Sequence, residues 1–260
     1  MRWLAAGAAL GALGAAALFA PAAWLAAWVD AASAGRLLLA DARGTLWSGS
    51  ATPVLTGGAG SRDASALPGR LHWRIGVDGK ALLVRAEQAC CLAGVLHLRV
   101  VPGFGSLTIE LPARAGSALV GQWPAAWLAG LGTPWNTLEP AGSVQLASPG
   151  LVLRSADGRW RFGGRADIEL VALSSRLSTL DVLGSYRLTL SGSAEGDAPA
   201  RLTLRTTSGP LLLDGSGELA RTGLRLRGTA GAAPGQEGVL NNLLNIIGRR
   251  QGATAIISIG

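Results

Sequence analysis

The sequence predicts a mainly β protein, a largely antiparallel sheet with two short amphipathic helices, preceded by one N-terminal transmembrane helix. Three observations predict it. Apolar and polar residues alternate with a period of two along most of the chain after residue 35. Glycine is frequent (38 residues) and only 15% of residues are charged, a profile of short strands joined by glycine turns and not of a helical bundle. Finally, no charge occurs between Arg2 and Asp30.

The uncharged run comes first. As a helix, residues 3–29 would be about 40 Å long, enough to cross a hydrocarbon core of about 30 Å. Trp3 at one end and Trp24 and Trp28 at the other suit the two headgroup boundaries, where indole is favoured. The amino terminus and Arg2 hold the positive end in the cytoplasm, which sends everything after Asp30 to the periplasm. Residues 1–30 then form a cytoplasmic tip and transmembrane anchor, and residues 31–260 a periplasmic β-rich domain. A cleaved signal peptide competes, with an apolar core from Leu4 to Ala20 and a small-residue site at Ala20-Pro21-Ala22. Pro21 inside that site, and the apolar stretch beyond it, favour the retained anchor. Gly7 and Gly11 have the G-x-x-x-G spacing of a helix-pairing face, which would make a homo-oligomer. In a segment this rich in Gly and Ala, that spacing is expected by chance.

The strands follow. Leu96, Leu98 and Val100 alternate with His97 and Arg99, and Tyr186, Leu188 and Leu190 alternate with Arg187 and Thr189. Leu202 and Leu204 lie among Arg201, Thr203 and Arg205, and Leu224 and Leu226 precede Arg225 and Arg227 in the same fashion. Each is a strand with one dry and one wet face. Turn signals stand at Asp78-Gly79, Asp157-Gly158, Ser208-Gly209-Pro210 and Asp214-Gly215.

Two segments break the period. Gln122–Leu131 carries Pro124 and spaces Trp123, Trp127 and Leu131 by four, which predicts a short amphipathic helix ending at Gly132. Val239, Leu240, Leu243, Leu244, Ile246 and Ile247 form a helical stripe after Glu237, with Gly248 as a glycine cap and Arg249 and Arg250 at the favourable dipole end. A last strand runs from Thr254 to Ile259. Residues 136–143 are the one candidate seam in an otherwise continuous domain.

Chemistry-bearing patterns are missing. His72 and His97 each lie in a strand pattern without Glu, Asp or Cys at ligand spacing, so no metal site is expected. No nucleophile stands with its base, and Gly57-Gly58-Ala59-Gly60 lacks the Lys-Ser/Thr ending of a phosphate loop. Catalytic, cofactor-binding and metal residues are therefore all expected to be none, with no cofactor. The net charge is +7, yet the 22 arginines and the single Lys80 are scattered, without the aromatic clustering of a phosphate-tracking groove; nucleic acid is not an expected partner. Cys90-Cys91 leaves three options: a strained vicinal bridge, an intermolecular bridge, or two reduced small side chains.

Blocks along the chain resemble the type II secretion system protein N family. Gly44-Thr45-Leu46-Trp47-Ser48-Gly49-Ser50-Ala51 follows an Ala/Leu segment ending Pro-Ala-Ala-Trp. Later come Pro140-Ala141-Gly142 through Leu151-Val152-Leu153, then Leu183-Gly184-Ser185-Tyr186-Arg187-Leu188, then Ser208-Gly209-Pro210-Leu211-Leu212-Leu213-Asp214-Gly215. Arg227-Gly228-Thr229-Ala230 and Leu243–Gln251 close the series. The resemblance implies a non-enzymatic, accessory, single-pass protein of the bacterial inner membrane that serves export of folded proteins across the outer membrane. It implies other inner-membrane components of that machinery as partners, with the bilayer as a further partner through the N-terminal helix. The family is also similar in style to AsmA-like periplasmic proteins, whose curved sheets offer an apolar concave side to lipid. A structural scaffold is the first reading, and a lipid-handling module with an apolar groove is the alternative.

Overall fold

A computed structural model describes residues 18–113, 118–156, 159–195, 198–220 and 223–259, together with Trp3, Gly11 and residues 14–16. Most of the expected anchor, including Arg2 and Gly7, and the Asp157-Gly158 turn lie outside the described residues. Among those described, no helix is long and apolar enough to cross a membrane.

Trp3, Gly11, residues 14–16 and Leu18 are helical, and the first element whose bounds are described is α1 (Ala22–Ala32), begun by Pro21 in extended geometry. Proline suits a helix start because the first N–H groups have no intrahelical acceptor. Strands follow in succession: β1 (Leu37–Gly44), β2 (Ser48–Thr56), β3 (Ala64–Ala66), β4 (Leu71–Asp78), β5 (Ala81–Glu87), β6 (Leu96–Gly103), β7 (Ser106–Leu111) and β8 (Leu119–Pro124). A 3-10 helix (Ala125–Leu131) and the single turn α2 (Trp135–Leu138) lead into the two longest strands, β9 (Pro140–Ala156) and β10 (Arg159–Ser175). Next come β11 (Gly184–Gly192), β12 (Ala200–Ser208), β13 (Leu211–Ala220) and β14 (Gly223–Ala232), then α3 (Glu237–Ile247), β15 (Arg249–Gln251) and β16 (Thr254–Ile259).

All these strands join one open sheet in the order β1-β2-β4-β5-β6-β7-β9-β10-β11-β12-β13-β14-β16-β15, with β3 on β2 and β8 on β9. Every pairing is antiparallel, as the one-sided alternation predicts. Residues 136–143 are no seam, because β9 pairs with β7 and β8 on one side and β10 on the other. The short edge strand β15 exposes Arg249, Arg250 and Gln251, and the two arginine charges discourage a further strand from adding there.

Paired residues point the same way, so each face can be traced from strand to strand. On one face Val100, Ile109, Leu153 and Phe162 stand in register across β6, β7, β9 and β10, and Ile168, Leu188 and Leu204 across β10–β12. On the other, Arg74, Arg85 and His97 line up across β4–β6, and Asp167, Thr189, Thr203, Ser216 and Arg227 across β10–β14. One face is apolar along its length, although Val77, Leu219 and Leu224 on it are exposed, and the other face carries the charged side chains.

The dry face carries three clusters. Ala22, Leu25, Ala26 and Val29 of α1 pack on Leu39, Ala51, Trp73 and Ile75. The expected domain boundary at residue 30 therefore falls inside a helix that packs on the sheet. At the opposite end, Leu240, Leu243 and Leu244 of α3 close over Leu183, Tyr186, Leu211, Ala230 and Ala255. Between them Phe162, Ala166 and Ala200 gather half-buried Leu146, Leu151, Leu153 and Leu190, all from strands.

Four local expectations need correction. Gln122–Leu131 is not one helix: Gln122 and Trp123 belong to β8, because their backbones pair with β9, and only the stretch after Pro124 coils, as a 3-10 turn. Asp214-Gly215 is no turn but lies in the middle of β13, where both ladders continue and Gly215 faces Gly228. Gly248 is not a left-handed cap; its backbone is extended (φ −164°), and it is small because an added Cβ would meet the Ile256 carbonyl at 2.5 Å. Arg249 and Arg250 consequently sit in β15 instead of extending the helix. Of the six-residue stripe, Leu240, Leu243 and Leu244 are buried, whereas Val239 and Ile246 are exposed.

Candidate functional site

The Gly44–Gly49 stretch is where sequence blocks turn into geometry. Gly44 has a positive φ of 89°, turning the chain between β1 and β2. Thr45 and Ser48 close the turn: the Thr45 N–H donates to the Ser48 carbonyl at 2.9 Å, and the Ser48 N–H donates to Thr45 Oγ1 at 3.1 Å. The Leu46 N–H donates to the Ala20 carbonyl at 2.7 Å, and the Ile75 N–H to the Trp47 carbonyl at 2.7 Å. The segment thus joins the start of α1 to β4. Trp47 is half-buried; the buried tryptophan of this region is Trp73, whose ring lies over Gly49.

Beside it, on the wet face, is a shallow hollow of about 340 Å³ lined by Ser48, His72, Arg74, Arg85, Glu87 and Val95, with Gly49 and Trp73 behind. Arg74 stands directly opposite Arg85, Arg85 opposite His97, and His72 opposite Glu87. Like charges facing each other across a ladder are unfavourable, and the same opposition recurs at Arg154–Arg161 and Arg187–Arg205. Two exposed guanidinium groups side by side suit an incoming carboxylate or other anion.

Elsewhere on the wet face some charges are matched, although Arg154 stands opposite Arg161 and Arg187 opposite Arg205. Arg165 pairs with Asp167 at 2.8 Å and Arg187 with Glu169 at 2.6 Å. Further along, Arg205 is placed opposite Asp214, and Glu218 opposite both Arg201 and Arg225. The Arg165 guanidinium, with help from the Thr189 hydroxyl, holds the Asp167 carboxyl below its ordinary 3.8. A carboxyl that binds its proton less readily when folded contributes stability above pH 3.8 and loses it as pH falls through the lowered value. Asp167→Asn should therefore cost about 1 kcal/mol at neutral pH, a small figure because Arg165 stands half in water. Urea unfolding of both proteins across the acid range should show the gap closing below pH 3.8. A gap that persisted in acid would mean that Asp167 acts through shape instead of charge.

A second clamp sits at the bulge in β1. Asp41 has a positive φ of 50°, and Arg70 donates to its carboxylate at 2.7 Å and its carbonyl at 2.6 Å while also reaching the Ser50 carbonyl. Arg43, then Arg70, lower the Asp41 carboxyl pKa. At the far end Tyr186 is buried, its hydroxyl donating to the Leu211 carbonyl at 3.1 Å, and burial raises its pKa. It is a structural phenol.

The remaining chemistry-bearing residues are dispersed. His72 and His97 both lie exposed on the wet face, and among the described residues no cluster of His, Cys, Asp and Glu could hold a metal ion. Of the three options for Cys90 and Cys91, the structure has the vicinal bridge. Cys91 is buried against β8, its carbonyl accepting from the Gln122 N–H at 2.8 Å. Gly57 and Gly58 sit in the loop between β2 and β3, where the Gly58 N–H donates to Thr56 Oγ1. The Arg74–Arg85 hollow escaped the sequence reading because its residues are brought together only by register. Two arginines at mid-strand wet positions were its one available signal.

The family model for the type II secretion system (T2SS), protein N, matches residues 35–257. No curated protein and no solved structure matches the chain.

Proposed function

We propose, for a chain that belongs to the type II secretion system protein N family, an accessory, non-catalytic scaffold role in that secretion machinery. The chain is held to the inner membrane by its N-terminal segment, with the sheet in the periplasm. Family membership implies contact with other components of the system. What carries the scaffold reading is the division of the sheet into two faces. The helices of the chain itself occupy both ends of the dry face, leaving the wet face as the surface for partners. On that face the hollow gathers the exposed guanidinium groups of Arg74 and Arg85 beside His72 and Glu87, and an acidic segment of a partner fits the arginine pair.

The experiment is capture of the other inner-membrane secretion components on the full chain, comparing wild type with Arg74→Glu/Arg85→Glu. Both side chains are exposed, so stability should change little. Capture and secretion should both fall in the variant. Undiminished capture would remove the hollow as the docking place. A reporter active only in the periplasm, fused after Gly260, tests the topology.

One observation favours a second reading, the lipid-handling module. The cluster around Phe162, Ala166 and Ala200 is built from strands alone, and its leucines remain half-buried. Phospholipid recovered stoichiometrically with the detergent-purified chain, and lost in Leu153→Asp, would support that reading over the scaffold.

A further inference from the structure

We infer that the sheet is seated on the bilayer by one end, through the hairpin tips that share an end with the start of α1. This inference rests on the membrane-anchored reading above. The ends of β1, β4, β6, β9 and β13, and the starts of β2, β5, β7, β10 and β14, all fall at the same end of the sheet, as the antiparallel registers require. The chain reaches α1 there: Pro21 bridges Thr45, and the Ala20 carbonyl accepts from Leu46, in the β1–β2 turn. The chain just before α1, at Ala20 and Pro21, therefore meets the sheet at this end.

The distribution of aromatic side chains points the same way. Among the described residues, every exposed aromatic lies either on these tips or at and before α1. Phe104 is in the turn of β6–β7, and Trp160 is the second residue of β10, at the same end. Trp24 and Trp28 stand on α1, and Phe19 and Trp3 precede it. All other described aromatics are at least half-buried. A turn in water favours Gly, Asn, Asp and Ser, and a fully exposed Phe there gains nothing. At a headgroup boundary the same rings are favoured, because the ring meets acyl chains while a polar edge or the backbone meets water. Trp24 and Trp28, four residues apart, lie on the outer side of α1, away from the Leu25, Ala26 and Val29 side that packs on the sheet. Lys80, the single lysine, caps the neighbouring β4–β5 turn and suits anionic headgroups. The partner is thus the lipid surface, and the strands rise from it with their far turns in the periplasm.

The test uses the full chain in vesicles of phosphatidylethanolamine and phosphatidylglycerol. Cys90 and Cys91 are bonded to each other. A single new cysteine, labelled without reductant, can therefore carry an environment-sensitive fluorophore at Phe104→Cys, Trp160→Cys or, at the opposite end, Thr207→Cys. Lipids bearing a quencher near the headgroup should quench the label at positions 104 and 160 and leave it unaffected at 207. Vesicle flotation reads the anchor separately. A chain that floats with the vesicles but is equally unquenched at all three positions overturns the seat and leaves the anchor standing. A chain that does not float removes both. A spectral change at 104 and 160 that grows with protein concentration and resists the lipid quencher would assign the tips to a second copy of the chain, and would also overturn the seat.

Discussion

Trp73→Ala is expected to cost about 3–5 kcal/mol, the range for deleting a buried aromatic from a core that cannot collapse around the gap. Trp73 is only 3% exposed and sits against Ala22, Ala51 and Leu39, and the two alanines have no side chain long enough to fill the space it would leave. Its indole N–H donates to the Leu46 carbonyl at 3.0 Å, so the substitution also leaves that carbonyl without its partner. Against a typical total of about 5–15 kcal/mol, one such change removes a large fraction of the stability. The effect should reach further than β4. Through Leu46 the same loop is tied to Ala20, and through Trp47 to Ile75, so α1 should loosen with it. Gly49→Ala makes the complementary probe. Its Cβ would lie 2.6 Å from the Trp73 ring and 2.6 Å from the Arg43 carbonyl, an overpacking that typically costs about 1–3 kcal/mol. Chemical unfolding followed by tryptophan fluorescence and by circular dichroism measures both. A Trp73→Ala protein within about 0.5 kcal/mol of wild type, the usual range for surface changes, would show that α1 and this end of the sheet do not form a packed core.

These two residues also show what a sequence can and cannot disclose. Period-two alternation is local, so the strands and their dry and wet faces were legible, and so was the amphipathic helix ahead of the last strand. Cover is not local. Trp47 stood out because it sits in the Gly44–Ala51 block, yet Trp73, an ordinary strand residue, is the one that block is shaped to receive. Asp214-Gly215 has turn chemistry, but ladders on both sides override two residues of local preference. The uncharged N-terminal run is ambiguous for a physical reason. A helix side buried against a sheet and one facing lipid call for the same residues. Pro21 was the available signal, since proline marks a helix start and Ala22 opens one there. The wet-face hollow depends wholly on register, which pairs Arg74 with Arg85. No pattern within a single strand encodes that pairing.

Leu243→Asp with Leu244→Asp is expected to abolish cooperative folding of the C-terminal half of the sheet. Both leucines are almost fully buried, beside Leu240, and meet Leu183, Tyr186, Leu211, Ala230 and Ala255. Burying each leucine contributes about 1.5–3 kcal/mol. Placing a carboxylate there instead adds an effective penalty of several kcal/mol per ion when no cation is near to pair it. The two changes together rival the whole stability of a domain. Their effect should spread along β14 and β16, because the chain leaves β14 into α3 and returns through β15 and β16 to pair with it. A control is built into the same helix. Val239 and Ile246 belong to the same apolar stripe in sequence but are 44% and 48% exposed, so Val239→Asp with Ile246→Asp should stay within about 0.5 kcal/mol per site. The full chain in detergent, unfolded by urea, gives the comparison. A broad, sloping transition for the first variant and a sharp one for the second would fix the inward side of α3. If both variants unfold alike, the helix does not rest on the sheet through Leu243 and Leu244, and the dry face runs open to its C-terminal end. The lipid-handling reading would then have its groove, and the scaffold reading would lose the observation on which it stands.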